Sequence, residues 1–536
     1  MISLYAFYAL LFLWVIHALQ RVFFCLYFWQ VKEYRFDRIK GDLKRSSRVF
    51  VPKASILMLV VLFFLAAPQS PNSQYSWDDL VLVVFCALGI YSFILLVKKR
   101  WKMPKFTKKA LVLSVLSVIV LAYTAIIFFD KFFLFVVIAE IVIPFVTFAI
   151  AELLQMPTFF IKRIIYKKAE RKIEEHKNLI VVGITGSYGK SSIKEFLYTI
   201  LSKKYNVLKT SGNTNTEIGV AQIVNKYLTK DHQVFIAEMA AYRKGEIKLL
   251  CNIVKPKIGI VAGVNEQHLA LFGSMENLLL SEGGGELATA LPKDGMLVLN
   301  GDNKYCLDLF KKTGFQAKKR IYSLSNKKID SDIWPEDIAA HKDRVSFLAT
   351  NKNKDLANFN VKVLGRQNVQ NLLGAILVAN ELGMSFGEIS DACEDIRQEQ
   401  TGMISRRGKL GIDIIDSSYS ANPDGVSADL DYLSIYPNKK VIVMPCLIEL
   451  GDKSKEIHEK IGRKIGEVCD SAIITSKDYF KEIERGFNET KKEGAKCILC
   501  DKPKDIYAAI TLFCESGDEI LLEGRVPAGL INLLVK

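Results

Sequence analysis

The sequence predicts an α/β protein in three parts: an N-terminal region of five transmembrane helices, a P-loop α/β ATPase domain, and a C-terminal Rossmann-like α/β domain. Three observations carry that expectation. Five long apolar stretches precede residue 155. One glycine-rich turn lies between a strand-like and a helical pattern at 183–192, and strand-like and helical runs alternate from there onward. A chain of 536 residues has room for three or more domains, each burying its own core. Charge is unevenly spread: residues 1–176 hold 23 Lys and Arg against 11 Asp and Glu, whereas residues 177–536 hold 49 against 46. With the excess confined to the first third, a nucleic-acid-binding face on the remainder is excluded. The ten cysteines are scattered, and the one close pair, Cys497 and Cys500, has no second pair or nearby histidine to complete a zinc site. They are expected to be reduced thiols of a cytosolic protein.

The apolar stretches are roughly 4–19, 54–67, 80–97, 110–129 and 132–150, several of them near the roughly 20 residues that a spanning helix needs. No positive charge precedes the first and no small-residue cleavage site follows it, so it does not read as a cleaved signal peptide. Lysine and arginine are retained on the cytoplasmic side. Residues 32–53 carry eight of them and residues 98–109 seven, while 69–79 carry none. Five crossings with the N-terminus outside satisfy this pattern and leave everything after Ile150 in the cytoplasm, attached to the cell membrane. The transmembrane region is set at 1–155. A linker at 156–176, mixing Phe159, Phe160 and Ile161 with Lys162, Arg163, Lys167 and Lys168, is expected to lie at the lipid interface. Glu140 falls within the fifth stretch, where a carboxyl is either a functional group or a helix-paired structural one.

The glycine-rich turn reads Gly183-Ile-Thr-Gly-Ser-Tyr-Gly-Lys-Ser-Ser192. A strand feeding such a turn into a helix directs backbone N–H groups and a helix N-terminus at one point, which suits a polyphosphate. Thr185, Gly186, Ser187, Gly189, Lys190, Ser191 and Ser192 are the expected ATP contacts, with Lys190 reaching the terminal phosphates and the Ser191 hydroxyl holding Mg2+. The strict phosphate-loop pattern is not met, because Ile184 stands where its first glycine belongs. Downstream, the apolar run 233–237 ends in Glu238, where a second Mg2+ ligand would sit.

Thr185 to Ser192 resembles the ATP loop of the Mur ligases, cytoplasmic enzymes that join amino acids or peptides to cell-wall precursors. Further motifs are similar to the D-alanyl-D-alanine-adding branch of that family. Gly212-Asn-Thr-Asn-Thr-Glu-Ile-Gly219 resembles its substrate-side loop, implying substrate roles for Asn213 and Asn215. Glu238 to Ile247 resembles a stretch that opens Glu-Met-Gly, with Ala240 replacing the glycine. Val264-Asn-Glu-Gln-His-Leu269 matches the element whose histidine helps organise metal and substrate, which makes His268 the implied metal-side histidine. Where several relatives carbamylate a lysine, this chain reads Ser281-Glu-Gly-Gly-Gly-Glu286. The expectation is that Glu282 supplies the carboxylate directly, the alternative being an ordinary loop. Asn300-Gly-Asp302 resembles the family's nucleotide-bordering Asn-x-Asp, and the ATP-binding domain is placed at 177–360.

In the third domain, 361–536, Gly365-Arg-Gln-Asn-Val-Gln-Asn371 resembles the element that packs on adenine, implying Asn368 and Asn371 as nucleotide contacts, with Gln367 in place of the usual histidine. The family's phosphate-side arginine is missing at Met403, and Arg406 or Arg407 is the implied substitute. Ile414 to Asp424 resembles a substrate run and retains Asp416, Tyr419, Asn422 and Pro423, with Ser417 and Ser420 as departures. Ile448-Glu-Leu-Gly451 and His458 match a further family stretch, preceded by the departure Pro445-Cys446.

The resemblance implies an ATP- and Mg2+-dependent ligase that adds D-Ala-D-Ala to a muramoyl tripeptide through an acyl phosphate, with Lys190, Glu238, His268 and Glu282 as its catalytic set, and the apolar stretches, which the resemblance does not cover, make it membrane-anchored. The acceptor, a peptidoglycan precursor, is either UDP-linked or lipid-linked. Other readings are a membrane-associated ligase of a poly-γ-glutamate type, an ATP-driven transporter, and an inactive membrane scaffold that has kept the fold.

Overall fold

The computed structural model describes residues 4–32, 34, 77–127, 132–325, 329–419 and 421–535. The second apolar stretch, most of the basic loop after Lys32, the turn at 130–131 and Ser420 lie outside them, as does the side chain of Glu140. The chain divides into two compact units, 1–162 and 163–536.

In the first unit four helices are described: α1 (Leu4–Val31), α2 (Trp77–Val97), α3 (Lys108–Ile127) and α4 (Phe132–Leu153). They enclose a core of Trp14, Val22, Leu26, Trp29, Leu113 and Ile143, while apolar residues such as Phe12, Val115, Ile119 and Ile126 point outward. Three helical stretches, Leu11–Val31, Lys108–Ile127 and Val142–Glu175, are long and apolar enough to cross a membrane. The sequence suggested five spans; three meet that standard among the described residues, and the apolar segment Cys86–Val97 is shorter. One buried polar cluster joins α1 to α2: His17 Nδ1 lies 2.9 Å from Ser92 Oγ, which donates to Gln20 Oε1 at 3.3 Å.

Helix α5 (Gln155–Glu175) carries the chain into the second unit. Its latter half buries Ala169 and Ile173, and Lys172 Nζ donates to the Asn225 carbonyl at 3.0 Å. Two sheets follow. The first has nine strands: β1 (Ile180–Thr185), β2 (Val207–Lys209), β3 (Val234–Glu238), β4 (Ile258–Val261), β5 (Met296–Asn300), β6 (Lys318–Tyr322), β7 (Ile333–Ala340), β8 (Val345–Asn351) and β9 (Leu356–Val361). Their order is β2-β3-β1-β4-β5-β6-β7-β8-β9, parallel through β7 and antiparallel beyond it. Strands β1, β3, β4 and β5 are nearly continuous apolar runs because helices cover both faces of a parallel sheet. The antiparallel extension was not anticipated. Its strands mix apolar and polar residues, as expected of a sheet with a solvated face, and β7 joins β6 through a single pairing, Tyr322 with Ile333.

The second sheet runs β10 (Ile404–Arg407), β11 (Asp413–Ser417), β15 (Glu519–Glu523), β12 (Lys440–Met444), β13 (Ser471–Ile474), β14 (Lys496–Leu499), parallel except for β10 at one edge. Catalytic residues of open parallel sheets gather at the carboxyl ends of the strands. In this chain those ends carry Thr185, Glu238 and Asn300 in one lobe and Ser417 and Glu523 in the other. The two lobes meet where Asn265 Nδ2 donates to Asn422 Oδ1 and Asp424 Oδ2, both at 2.9 Å.

Candidate active site

The turn after β1 can be built only with small residues. Gly186 has φ 131°, and a Cβ there would lie 2.8 Å from the Gly263 carbonyl oxygen. The next residue locks that approach, since Ser187 N donates to the same oxygen at 2.7 Å. Tyr188 lies flat over Gly263, where a Cβ would come within 2.3 Å of its ring, and burial pushes its phenol well above the ordinary value. Gly189, at φ 79°, precedes helix α6 (Lys190–Leu201), and Asn371 lies against it. Lys190 is nearly buried, with its ammonium folded onto the carbonyls of Gly186 and Ser187. Ser192 is half-buried in the first turn of α6.

Two buried carboxylates flank this turn, each held by one of its serines. Ser191 Oγ donates to Glu238 Oε2 at 3.0 Å, and Asn215 Nδ2 donates to Glu238 Oε1 at 3.1 Å. On the other side Ser187 Oγ donates to Glu282 Oε2 at 3.3 Å, and His268 Nδ1 lies 3.0 Å from both Glu282 oxygens. Glu282 is fully buried, and the Thr185 hydroxyl donates to its carbonyl at 3.5 Å. A hydroxyl beside a carboxylate at a helix N-terminus is the oxygen donor set that Mg2+ takes, and the glycine cradle with its N–H groups fits a phosphate chain.

Other predicted residues take quieter positions. Asn300 is fully buried, donating to the Ala262 carbonyl at 2.8 Å and accepting from Asp302 N at 3.0 Å, so its amide fixes the ends of β4 and β5. Asn368 donates to the Leu364 carbonyl at 2.7 Å and accepts from Asn371 at 3.3 Å. Gln367 donates to Asp429 at 3.0 Å. In the second lobe Asn422 caps helix Pro423–Leu433. Asp416 pairs with Arg406 Nε at 3.0 Å, and Arg407 pairs with Asp413. Tyr419 is exposed, and desolvation raises its phenol above the ordinary value. An open cleft of about 570 Å3 is lined by Glu399, Thr401, Asp416, Ser418, Tyr419 and Arg525, among others.

Residues 184–379 match the Mur ligase middle domain, and residues 403–526 match the Mur ligase glutamate ligase domain. The chain belongs to the Mur ligase family. Its members are ATP-dependent ligases that form amide bonds, and they use Mg2+. The UDP-N-acetylmuramoyl-tripeptide--D-alanyl-D-alanine ligase of Synechocystis is 28% identical over 355 residues, covering 65% of this chain and 72% of that relative. The enzyme of the same name from Bacillus subtilis is 25% identical over 346 residues, covering 64% and 72%. Among solved structures, MurF from Acinetobacter baumannii shares the fold with a TM-score of 0.62 at 22% identity, covering 69% of this chain and 80% of that one. MurF ligase from Thermotoga maritima in complex with ADP is similar at a TM-score of 0.58 and 25% identity, covering 68% and 80%.

Three residues of this Mur ligase site were not singled out from sequence. Lys194, only 1% exposed, donates to Glu238 Oε2 at 3.0 Å and to the Gly212 carbonyl at 2.6 Å, tying α6 to the Gly212–Gly219 loop. A lysine one turn past Lys190 on the buried stripe Ile193-Phe196-Leu197 was the available signal. Asn265 bridges the lobes from within the run that holds His268. Thr210 Oγ1 accepts from Glu238 N at 3.0 Å.

Proposed function

We propose that this chain is a membrane-anchored, MurF-like ligase that uses ATP to add D-alanyl-D-alanine to a muramoyl tripeptide. The observation that carries the reading is the pair of serines, Ser187 and Ser191, that hold Glu282 and Glu238 on either side of one phosphate cradle, with His268 and Lys194 as the partners of those carboxylates. In this reading the tripeptide carboxylate attacks the γ-phosphorus of ATP, the bond from that phosphorus to the β,γ-bridging oxygen breaks, ADP leaves, and the carboxylate becomes an acyl phosphate. The dipeptide amine then attacks the acyl carbon, the new C–N bond forms, and the C–O bond to phosphate breaks. Such chemistry asks for positioning and charge neutralisation more than for a protein nucleophile. Lys190 stands where it can turn from the loop carbonyls to the terminal phosphates. Mg2+, held through Ser191 and Glu238, would neutralise phosphate charge. Asn213 and Asn215 face the acceptor from one lobe. Tyr419 lines the cleft where Asp416 and Arg525 would offer opposite charges to a zwitterionic dipeptide.

The three apolar helical stretches support a multi-pass anchor in the cell membrane, and the lysine- and arginine-rich loops favour a cytoplasmic site with the N-terminus outside. Residues 1–183 lie outside both family matches. A lipid-linked acceptor presented at the bilayer is therefore a candidate beside the UDP-linked one. The test is ATP-dependent phosphate release by the detergent-solubilised full chain, with D-Ala-D-Ala and each acceptor in turn. Release that needs both acceptor and dipeptide supports the reading. Release that ignores the amine points to an ATPase of another kind, and none at all to a scaffold.

A further inference from the structure

The loop Pro445–Gly451, which leaves β12 in the second lobe, ends beside His268 of the first. Glu449 has φ 68°, a left-handed conformation that disfavours a residue with a Cβ. Its carbonyl accepts from Ala270 N at 3.0 Å, and its Oε2 lies 3.9 Å from His268 Nε2. Since His268 Nδ1 faces Glu282 at 3.0 Å, the imidazole is bracketed by carboxylates from opposite lobes. Tyr242 lies tilted against the ring, 5.6 Å between centroids.

The loop that delivers Glu449 is firmly fixed. His458 is fully buried, and its Nδ1 lies 2.5 Å from the Ser454 carbonyl, which makes Nδ1 the donor and leaves Nε2 to accept from Leu447 N at 2.9 Å. Tyr479 stacks on that imidazole at 4.6 Å and 14°. Cys446 N donates to Ser476 Oγ at 2.7 Å. Within so well supported a loop, the residue in the unfavourable backbone conformation is the one whose side chain crosses to the other lobe. A glycine at 449 would make the same bond to Ala270 without that conformational cost, so the loop's own geometry does not account for a glutamate.

We infer that Glu449 is a positioning residue. Its carboxylate, brought in when the lobes dock, completes a Glu282–His268–Glu449 array that fixes the His268 ring beside the phosphate loop and makes that orientation depend on docking. The inference rests on the ligase reading for its consequence in turnover, but not for its geometry.

The test uses the full chain in detergent with Glu449→Gly, Glu449→Gln and Glu449→Asp. Three quantities are measured: thermal midpoint, rate of carbethoxylation of His268 by diethylpyrocarbonate at pH 6 followed by peptide mass spectrometry, and amine-dependent phosphate release. Glu449→Gly is expected to melt no lower than the parent, because the left-handed turn suits glycine, while its His268 reacts several-fold faster and kcat falls about tenfold. Glu449→Gln, which keeps the side-chain volume, should share the faster modification, and Glu449→Asp should regain part of the protection. A role confined to the loop's backbone predicts instead that Glu449→Gly keeps both the parental His268 rate and the parental turnover, and that result overturns the inference. If the parent itself releases no phosphate, the ligase reading fails, and the His268 modification rates alone decide the positioning role.

Discussion

Glu282→Gln removes one charge and leaves nearly everything else in place. The side chain is fully buried, so no water is at hand to replace a lost partner. Its two oxygens share the His268 Nδ1 donor at 3.0 Å each, and one of them also takes the Ser187 hydroxyl at 3.3 Å. A glutamine keeps the volume but offers one oxygen and one NH2 group. Either the NH2 faces the imidazole N–H, which it cannot satisfy, or it turns toward Ser187 and reverses that bond. A hydrogen bond to a charged group contributes about 1.5–3 kcal/mol, and each 1.4 kcal/mol is about tenfold in rate. If the carboxylate orients His268 and neutralises charge in the transition state, kcat/KM for ATP-dependent phosphate release should fall by about 10- to 100-fold, with the protein still folded by circular dichroism. The assay is phosphate release with muramoyl tripeptide and D-Ala-D-Ala, parent against variant. Unchanged ATP turnover in Glu282→Gln would show that the carboxylate belongs to an ordinary loop, and its assigned role would be withdrawn.

Other perturbations follow from the same geometry. Glu282→Lys assayed with bicarbonate should recover part of the rate lost in Glu282→Ala, because a carbamylated lysine rebuilds a carboxylate, and the recovery should vanish in carbonate-free buffer. Lys194→Met leaves Glu238 a buried charge without its ammonium, which destabilises by about 3–5 kcal/mol; urea unfolding measures it, and adding Glu238→Gln should restore part of the loss. Glu519 is fully buried with no hydrogen-bond partner on either oxygen among the described residues, and burial pushes its carboxyl from the ordinary 4.5 up to about 7. The folded state keeps a proton that the unfolded chain has already lost, so this stability is full below about pH 4.5 and drains away as pH rises through about 7. Glu519→Gln should therefore gain thermal midpoint over the parent by more at pH 8 than at pH 5, and equal gains at both would contradict the assignment.

The cluster around the glycine-rich turn was legible because its residues are contiguous in sequence. A glycine-rich turn between β1 and α6 places Ser187, Lys190 and Ser191 together through local geometry alone, and Glu238 follows from the rule that the carboxyl end of a neighbouring parallel strand faces the same crevice. What pattern could not give were partners set by tertiary packing. Lys194 falls on the buried stripe of α6, but its partners, Glu238 at the end of β3 and the Gly212 carbonyl, are supplied by tertiary packing. Asn300 reads as a nucleotide contact, yet burial turns its amide to the Ala262 carbonyl. The β7–β9 extension mixes polar and apolar positions as an antiparallel meander does, which the parallel alternation before it obscured.

The second lobe shows the same limit at longer range. Asp429 and Glu523 are 94 residues apart in sequence and become neighbours only because β15 pairs with β11, which sets Glu523 opposite Ser417. Ser417 Oγ donates to Asp429 at 2.5 Å, Gln367 donates to its other oxygen at 3.0 Å, and burial together with the Asp429 charge pushes the Glu523 carboxyl well up. Two carboxyls in one buried site cannot both ionise, so the pair holds a proton. Sharing that proton, the two carboxyls carry a single negative charge between them under the ends of β11 and β15. Nearby, Asp416 pairs with Arg406 at 3.0 Å, and Arg525 lines the same cleft. Gln367 donates to Asp429 without titrating, so it satisfies one carboxylate oxygen and adds no charge of its own to the buried pair.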